Sequence, residues 1–360
     1  MDVGFPIPDL STATVADDLG SRLANGGEYT NLNTFVELVR ALPDTTREGY
    51  HLAINGNVVQ DPMECYLSHP FVSSSQLKAA LNSPRHFLAS RKPKEEKQAR
   101  HFELGTFIHE AILEPSRFDK VVVEPKAVRS SIQGLTELVK FYAEITGTPT
   151  QVDIVVGNKM EGLKKQLEVL TAEAKAQGIE VVSAADMAVI GQVRESIAEY
   201  GGGIIPRIMR HAQTETSMYY NDRELGLGVR IRPDGILLDE NLGANVVVSV
   251  KTTSAQNLNL FMRDCVKHRY ALAEGMYLDV ATKATGRKFS GTLMIMAQTV
   301  EPYNVAAIYW SIDDLNAGLA DYYRAIPIAR EVLTTGNAPG YEVMAEDNHL
   351  GIIESYITNR

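Results

Sequence analysis

Two apolar stretches in the second half of the chain leave few folds open. "LGLGVRIRPDGILLD" (225–239) and "NVVVSVKTT" (245–253) are rich in branched aliphatic residues, and the turn-forming Asn241-Leu242-Gly243 stands between them. Runs of this length and composition read as buried strands. Arg232-Pro233 interrupts the first, because proline removes a ladder donor, so Asp234 stands at a bend just before Gly235. The second closes on Lys251 and two threonines. Strand alternation puts Ser249 and Lys251 on one face and Val250 on the other. If the two strands pair, Asp234 approaches the Ser249/Lys251 face. A carboxylate beside a lysine suits metal-assisted cleavage of a phosphodiester. Carboxylate oxygens hold a hard cation such as Mg2+, and the ammonium steadies the attacking water or the developing phosphate charge. A turn aspartate and a solvent-facing strand-end lysine are the plain alternatives, and these residues alone leave both open.

The surrounding pattern alternates helices and strands. Helical spacing predicts a helix in "YTNLNTFVELVRAL", one over "SSSQLKAALNSPRHFLASR" opening on Ser74 or Ser75, and one over "HFELGTFIHEAILEPSRF" that ends before Pro115. Residues 128–200 read as polar and largely helical up to Gly201–Gly203. Further strands are predicted at "KVVVEP", "TETSMYYND", "SGTLMIMAQTV" and "NVAAIYWSI", with helices at "LNLFMRDCVKHRYALAEGMYLDVATKATG" and "DDLNAGLADYYRAIPIAREVL". Asn55-Gly56 within "YHLAINGNVV" predicts a β-hairpin. This order predicts the α/β class, with a mixed central sheet flanked by helices. Residues 1–70 read as a peripheral segment, 71–335 as the main domain with a helical insertion at about 128–200, and 336–360 as a tail.

Charge and cysteine usage narrow the setting. A net charge of −10 argues against a surface coated in positive potential, yet a local basic groove can sit inside an acidic whole. Arg85, Arg91, Lys92, Lys94, Lys97 and Arg100 cluster in "SPRHFLASRKPKEEKQARH"; the plain reading is a solvated face, the functional one a DNA path. No apolar run reaches the roughly 18 residues a membrane span needs. The N-terminal "MDVGFPIPDLSTATVADDLG" lacks the features of a secretory signal. Cys65 and Cys265 lie far apart, as expected of a cytoplasmic protein. GxxxxGK[ST], HExxH and paired CxxC motifs are absent, which removes the P-loop, zincin and zinc-ribbon classes.

The succession "RPDG…VVVSVKTT…YALAEGMY" resembles the core of the PD-(D/E)xK nucleases, and within them the RecE-like (exonuclease VIII) exodeoxyribonucleases of phages and prophages. "SSSQLKAALNSPRHFLA" resembles that group's opening helix and "GTFIHEAILEP" its histidine helix. The likeness covers roughly residues 70–330. It implies a restriction endonuclease-like core in which Asp234 and Lys251 are the motif's acid and lysine. It also implies His109 as the metal-side histidine and Glu215, in "QTETSMYY", as the acid of the first core strand. The implied activity is Mg2+- or Mn2+-dependent, 5′-to-3′ degradation of double-stranded DNA from its ends. The implied partners are an annealing recombinase and further copies of the chain in a ring, in the bacterial host cytoplasm. Arg85, Arg91, Lys92, Lys94 and Arg232 are the expected DNA contacts.

Two positions depart from that pattern. Ser249 stands where the family has Asp or Glu two residues before the lysine, and Ala273 stands where it commonly has Gln four before Tyr277. Glu274 is one residue further on, four after Tyr270 and three before Tyr277, so the three can share a helix face. In one reading Glu274 has taken over the missing acid, as in some restriction endonucleases with a Ser-x-Lys strand; Ser249 and Tyr277 then complete the site. In the other, the chain is an inactive nuclease scaffold that binds DNA or a protein. An inhibitor that mimics DNA is a third reading, permitted by the acidic balance.

Overall fold

A computed structural model describes residues 29–43, 51–92, 100–113 (100–103 by backbone alone), 118, 120–149, 159–223 and 225–344. Its helices, in chain order, are α1 (Leu32–Ala41), α2 (Met63–Ser68), α3 (Ser74–Ala80), α4 (Pro84–Ser90), α5 (Arg100–Leu113), α6 (Ile132–Thr146), α7 (Lys159–Ala176), α8 (Ala184–Glu199), α9 (Ile204–His211), α10 (Asp239–Leu242), α11 (Leu258–Lys267), α12 (Tyr270–Thr285) and α13 (Ile312–Thr335). The strands are β1 (Val58–Val59), β2 (Val122–Glu124), β3 (Val181–Ser183), β4 (Gln213–Thr214), β5 (Ser217–Asp222), β6 (Leu227–Ile231), β7 (Gly235–Leu237), β8 (Asn245–Thr253), β9 (Phe289–Gln298) and β10 (Val305–Tyr309). The protein is mixed α/β. Contacts divide it into two compact units, with breaks at 97/98, 199/200, 296/297 and 305/306.

The first unit is built on a five-stranded sheet in the order β10-β9-β8-β7-β4, beside a three-stranded sheet β1-β5-β6. β8 is its centre. Residues 245–250 are all buried, so valine suits both faces of a strand covered on both sides. β7 and β8 pair antiparallel, with Gly235 opposite Val248 and Leu237 opposite Val246. The Asn245 side-chain amide donates to the Lys288 carbonyl at 3.1 Å, and the Ser290 hydroxyl to the Asn245 carbonyl at 3.4 Å. β8 and β9 therefore start side by side and run parallel, joined by the crossover through α11 and α12. This makes the central sheet mixed.

α12 is buried almost all round, and small residues set how closely it meets α13. A Cβ on Gly275 would lie 2.8 Å from the Leu319 backbone nitrogen, and one on Gly318 would overlap the Ala271 carbonyl. Only glycine allows that approach. Gly318→Ala should therefore push the two helices apart and cost about 3 kcal/mol of stability, the upper range for overpacking, read as a shifted midpoint in urea unfolding.

Several sequence expectations need correction. The Asn55 side chain does make its turn, accepting from the Asn57 and Val58 N–H groups at 2.7 and 3.0 Å. The Asn55 N–H also donates to the Val58 carbonyl at 2.9 Å, but residues 51–55 form no strand, and β1 pairs with β5 instead, Val58 opposite Met218. The single helix expected over 74–91 is two, α3 and α4. Ser83 caps the second through the His86 N–H, and Pro84 occupies its first turn. The long helix expected after β8 is also two, divided at Arg269, whose φ of 48° lies in the left-handed region. α9 was not expected at all. Pro327, by contrast, is carried inside α13.

In the second unit α6 and α7 share a core of leucines, including Leu135, Leu138, Leu163 and Leu167. β2 and β3 pair in parallel, Val123 opposite Val182. Among the described residues no helix is long and apolar enough to cross a membrane.

Candidate active site

The site grows from the point where Pro233 interrupts the strand. Because β7 resumes only at Gly235, Asp234 stands beside β8 without being part of its ladder. Its side chain takes the place of a ladder carbonyl: Oδ2 accepts the Val250 N–H at 2.6 Å. That bond fixes the carboxylate along β8, where Lys251 Nζ lies 3.5 Å from the same oxygen and donates to the Val250 carbonyl at 2.9 Å. The two side chains keep 18 and 25% exposure, so this end of the strand opens to solvent.

Glu274 reaches the same place from α12. It is wholly buried, and its Oε1 accepts the Ser249 hydroxyl at 2.8 Å. Its Oε2 is buried without a hydrogen-bond partner. The strand serine two residues before Lys251 and the helix glutamate thus form one hydrogen-bonded pair. Burial pushes the Glu274 pKa up and Asp234 adds to the shift, while Lys251, Ser249 and Lys78 offset part of it. Burial opposes the Lys251 ammonium, but Asp234, Glu274 and Tyr270 outweigh it and hold its pKa above the ordinary value. Burial lifts the Tyr277 phenol far above its usual range, so it stays neutral, and the nearby Ser74 hydroxyl offsets only part of the shift.

Of the other expected residues of the first unit, Glu215 and Arg232 bind each other. Glu215, in the bend between β4 and β5, has a φ of 55°, and its Oε2 accepts from Arg232 Nε at 2.8 Å. Arg232 was expected among the DNA contacts. Instead it is 9% exposed and donates to Ser217 Oγ and the Asp61 carbonyl, both at 2.8 Å. The Tyr219 hydroxyl adds a 2.6 Å bond to Asp61. A guanidinium closed into such a network cannot also reach a phosphate. His109 lies half-buried on α5, in the second unit. Arg85 stands 3.4 Å from Glu342 with both exposed, Arg91 donates to the Pro70 carbonyl at 3.0 Å, and Lys92 is exposed. Lys94 lies outside the described residues.

The reading of the sequence missed Lys78. It sits one helical turn after Ser74 on α3, and its Nζ lies 5.1 Å from the centroid of the Tyr270 ring. Ser74 meets Tyr277 and Lys78 meets Tyr270, so the pair spans the stretch of α12 that presents Glu274. Only the four-residue spacing of Ser74 and Lys78 hinted at this.

Among the described residues no group of three or more His, Cys, Asp or Glu side chains is gathered to hold a metal ion. Of the expected set, Glu215 is engaged by Arg232, which leaves Asp234 and Glu274 as its carboxylates in the first unit; His109 belongs to the second. Two carboxylates still fit a cation of the Mg2+ class, which takes one or two and fills its octahedron with water and phosphate oxygens. The partnerless Glu274 Oε2 fits it too, because a buried acceptor left unsatisfied is costly.

A family model described as "PDDEXK-like domain of unknown function (DUF3799)" matches residues 73–347. Comparison with curated proteins gives no match. Among solved structures, an exonuclease candidate from Eubacterium rectale is 12% identical, with 84% of this chain and 97% of that one covered at a TM-score of 0.47. The protein SSO0001 is 13% identical, with 66 and 89% covered at a TM-score of 0.23.

Proposed function

Since the chain belongs to the family of PDDEXK-like domains of unknown function DUF3799, we propose that the β8–α12 site hydrolyses phosphodiester bonds in DNA with a divalent metal, Mg2+ or Mn2+. One observation carries the reading. The Ser249 hydroxyl and the buried Glu274 carboxylate meet at 2.8 Å beside the Asp234–Lys251 pair, so the acid absent from the strand is supplied by the helix. Asp234 and Glu274 would hold the cation. When bound, it would polarise a phosphoryl oxygen and make water a stronger nucleophile. Lys251 keeps its proton, given its raised pKa, and so acts as a fixed positive charge towards the phosphate rather than as a base. Asp234 Oδ2 orients that ammonium while itself held by the Val250 N–H. Tyr277, neutral and near Ser74, supports the helix face that carries Glu274.

The finer reading follows the RecE-like resemblance: attack on ends of linear duplex DNA, 5′ to 3′, by a ring of identical chains that hands a 3′ strand to an annealing recombinase. Arg85, Arg91 and Lys92 are its candidate DNA contacts in the first unit. The expected result is that linear duplex DNA is degraded with Mg2+ or Mn2+, EDTA abolishes the digestion, and covalently closed circles survive. Retarded but intact linear DNA would instead support an inactive scaffold, the reading that Ser249 by itself favours.

A further inference from the structure

Lys78 is an ammonium without an anion. No carboxylate of the described residues lies within ion-pair reach of it, and its close neighbour is the ring of Tyr270, 5.1 Å away. It sits half-buried on α3, facing the turns of α12 that carry Tyr270 and Glu274. Glu274 is already bonded to Ser249, and Asp234 is already beside Lys251. The site therefore gathers two carboxylates and two ammonium groups. A divalent cation held by the carboxylates would leave a surplus of positive charge, which only an incoming anion can offset. Holding a cation partly out of water without a partner is unfavourable. Burial and the charge of Lys251 pull the Lys78 pKa down to about 8, against Glu274, which raises it. Such a group is poised for a ligand that brings negative charge.

We propose that Lys78 is a phosphate-binding residue of this site, forming with Lys251 a two-cation seat over the Glu274 face of α12 for a backbone phosphate of bound nucleic acid. The assignment rests on the phosphodiesterase reading given above. It differs from the role of Lys251, because Lys78 has no bond to Asp234 and reaches the site from a different helix. The Tyr270 ring, with its negative face towards the ammonium, keeps Lys78 in place while leaving its N–H groups free to donate.

The test uses the full chain and a fluorescent linear duplex, with Ca2+ replacing Mg2+, and reads anisotropy over a range of salt concentrations. Lys78→Met keeps the aliphatic stem and removes the charge; Lys78→Arg keeps the charge. Lys78→Met is expected to weaken binding about tenfold and to lower the salt slope by about one, with no loss of melting temperature. Lys78→Arg is expected to recover most of both. Wild-type affinity and slope in Lys78→Met would overturn the proposal while leaving the nuclease reading intact if the wild type digests DNA. A fall in melting temperature with unchanged slope would make Lys78 a packing residue and overturn it as well. A wild type that neither binds nor digests the duplex would defeat the nuclease reading itself, and this assignment with it.

Discussion

Glu274→Gln is expected to lower metal-dependent DNA cleavage by about a hundredfold or more, because it keeps size and hydrogen bonding but removes one of the two carboxylates proposed to hold the cation. The same substitution should stabilise the metal-free protein at neutral pH. Burial raises the Glu274 pKa above its ordinary 4.5. Between the ordinary and the raised value the folded protein binds more protons than the unfolded one, so stability falls as pH rises through that window. Above the window the full cost of an ionised, wholly buried carboxylate is present. Glutamine carries no such cost. Melting curves in EDTA should therefore decline with pH in this range for the wild type and less steeply for Glu274→Gln. Added Mn2+ should reverse the ranking at neutral pH, since only the wild type gains stability from the ion. A variant that digests DNA at the wild-type rate would remove Glu274 from the site's chemistry.

Ser249→Asp should have the second large effect. Ser249 is wholly buried, with its hydroxyl 2.8 Å from Glu274 Oε1. A carboxylate there faces another that is already hard to ionise, and the pair would have to share a proton. We expect the metal-free variant to lose about 3 kcal/mol, the scale of an uncompensated buried charge, and to recover much of it with Mn2+. Cleavage should stay level or fall, because the site gains a surplus negative charge. The double variant Ser249→Asp/Glu274→Gln returns the acid to the strand and leaves an amide on the helix. It should recover metal binding lost in Glu274→Gln alone, a strongly non-additive outcome for two residues in contact. If the chain were an inactive scaffold, Ser249→Asp alone would instead create metal binding.

Much of the sheet was legible because its signals are local. The period of two in "NVVVSVKTT" placed Ser249 and Lys251 on one face, and Pro233 marked where Asp234 leaves the ladder. The spacing of Tyr270, Glu274 and Tyr277 placed the glutamate with its neighbours. What spacing could not convey is that Glu274 is wholly buried with the Ser249 hydroxyl on its Oε1, since that contact joins α12 to β8 across 25 residues of chain. The meeting of Lys78 with Tyr270, and of Arg232 with Asp61, joins residues far apart in the chain with no local mark. Asn55 shows the same limit from the other side: its turn forms as its chemistry requires, but tertiary pairing gives β1 a different partner. The break at Ser83-Pro84 does carry a local mark, a serine cap followed by a first-turn proline. The break at Arg269 has no such signal, because arginine has no preference for a positive φ.

Calorimetric titration of Mn2+ into the wild type, Glu274→Gln and Ser249→Asp addresses the central claim, that a helix glutamate completes the metal site of this nuclease fold. The account predicts saturable binding by the wild type that disappears in Glu274→Gln. Binding that survives in Glu274→Gln, or that is absent from the wild type and arises only in Ser249→Asp, would contradict it.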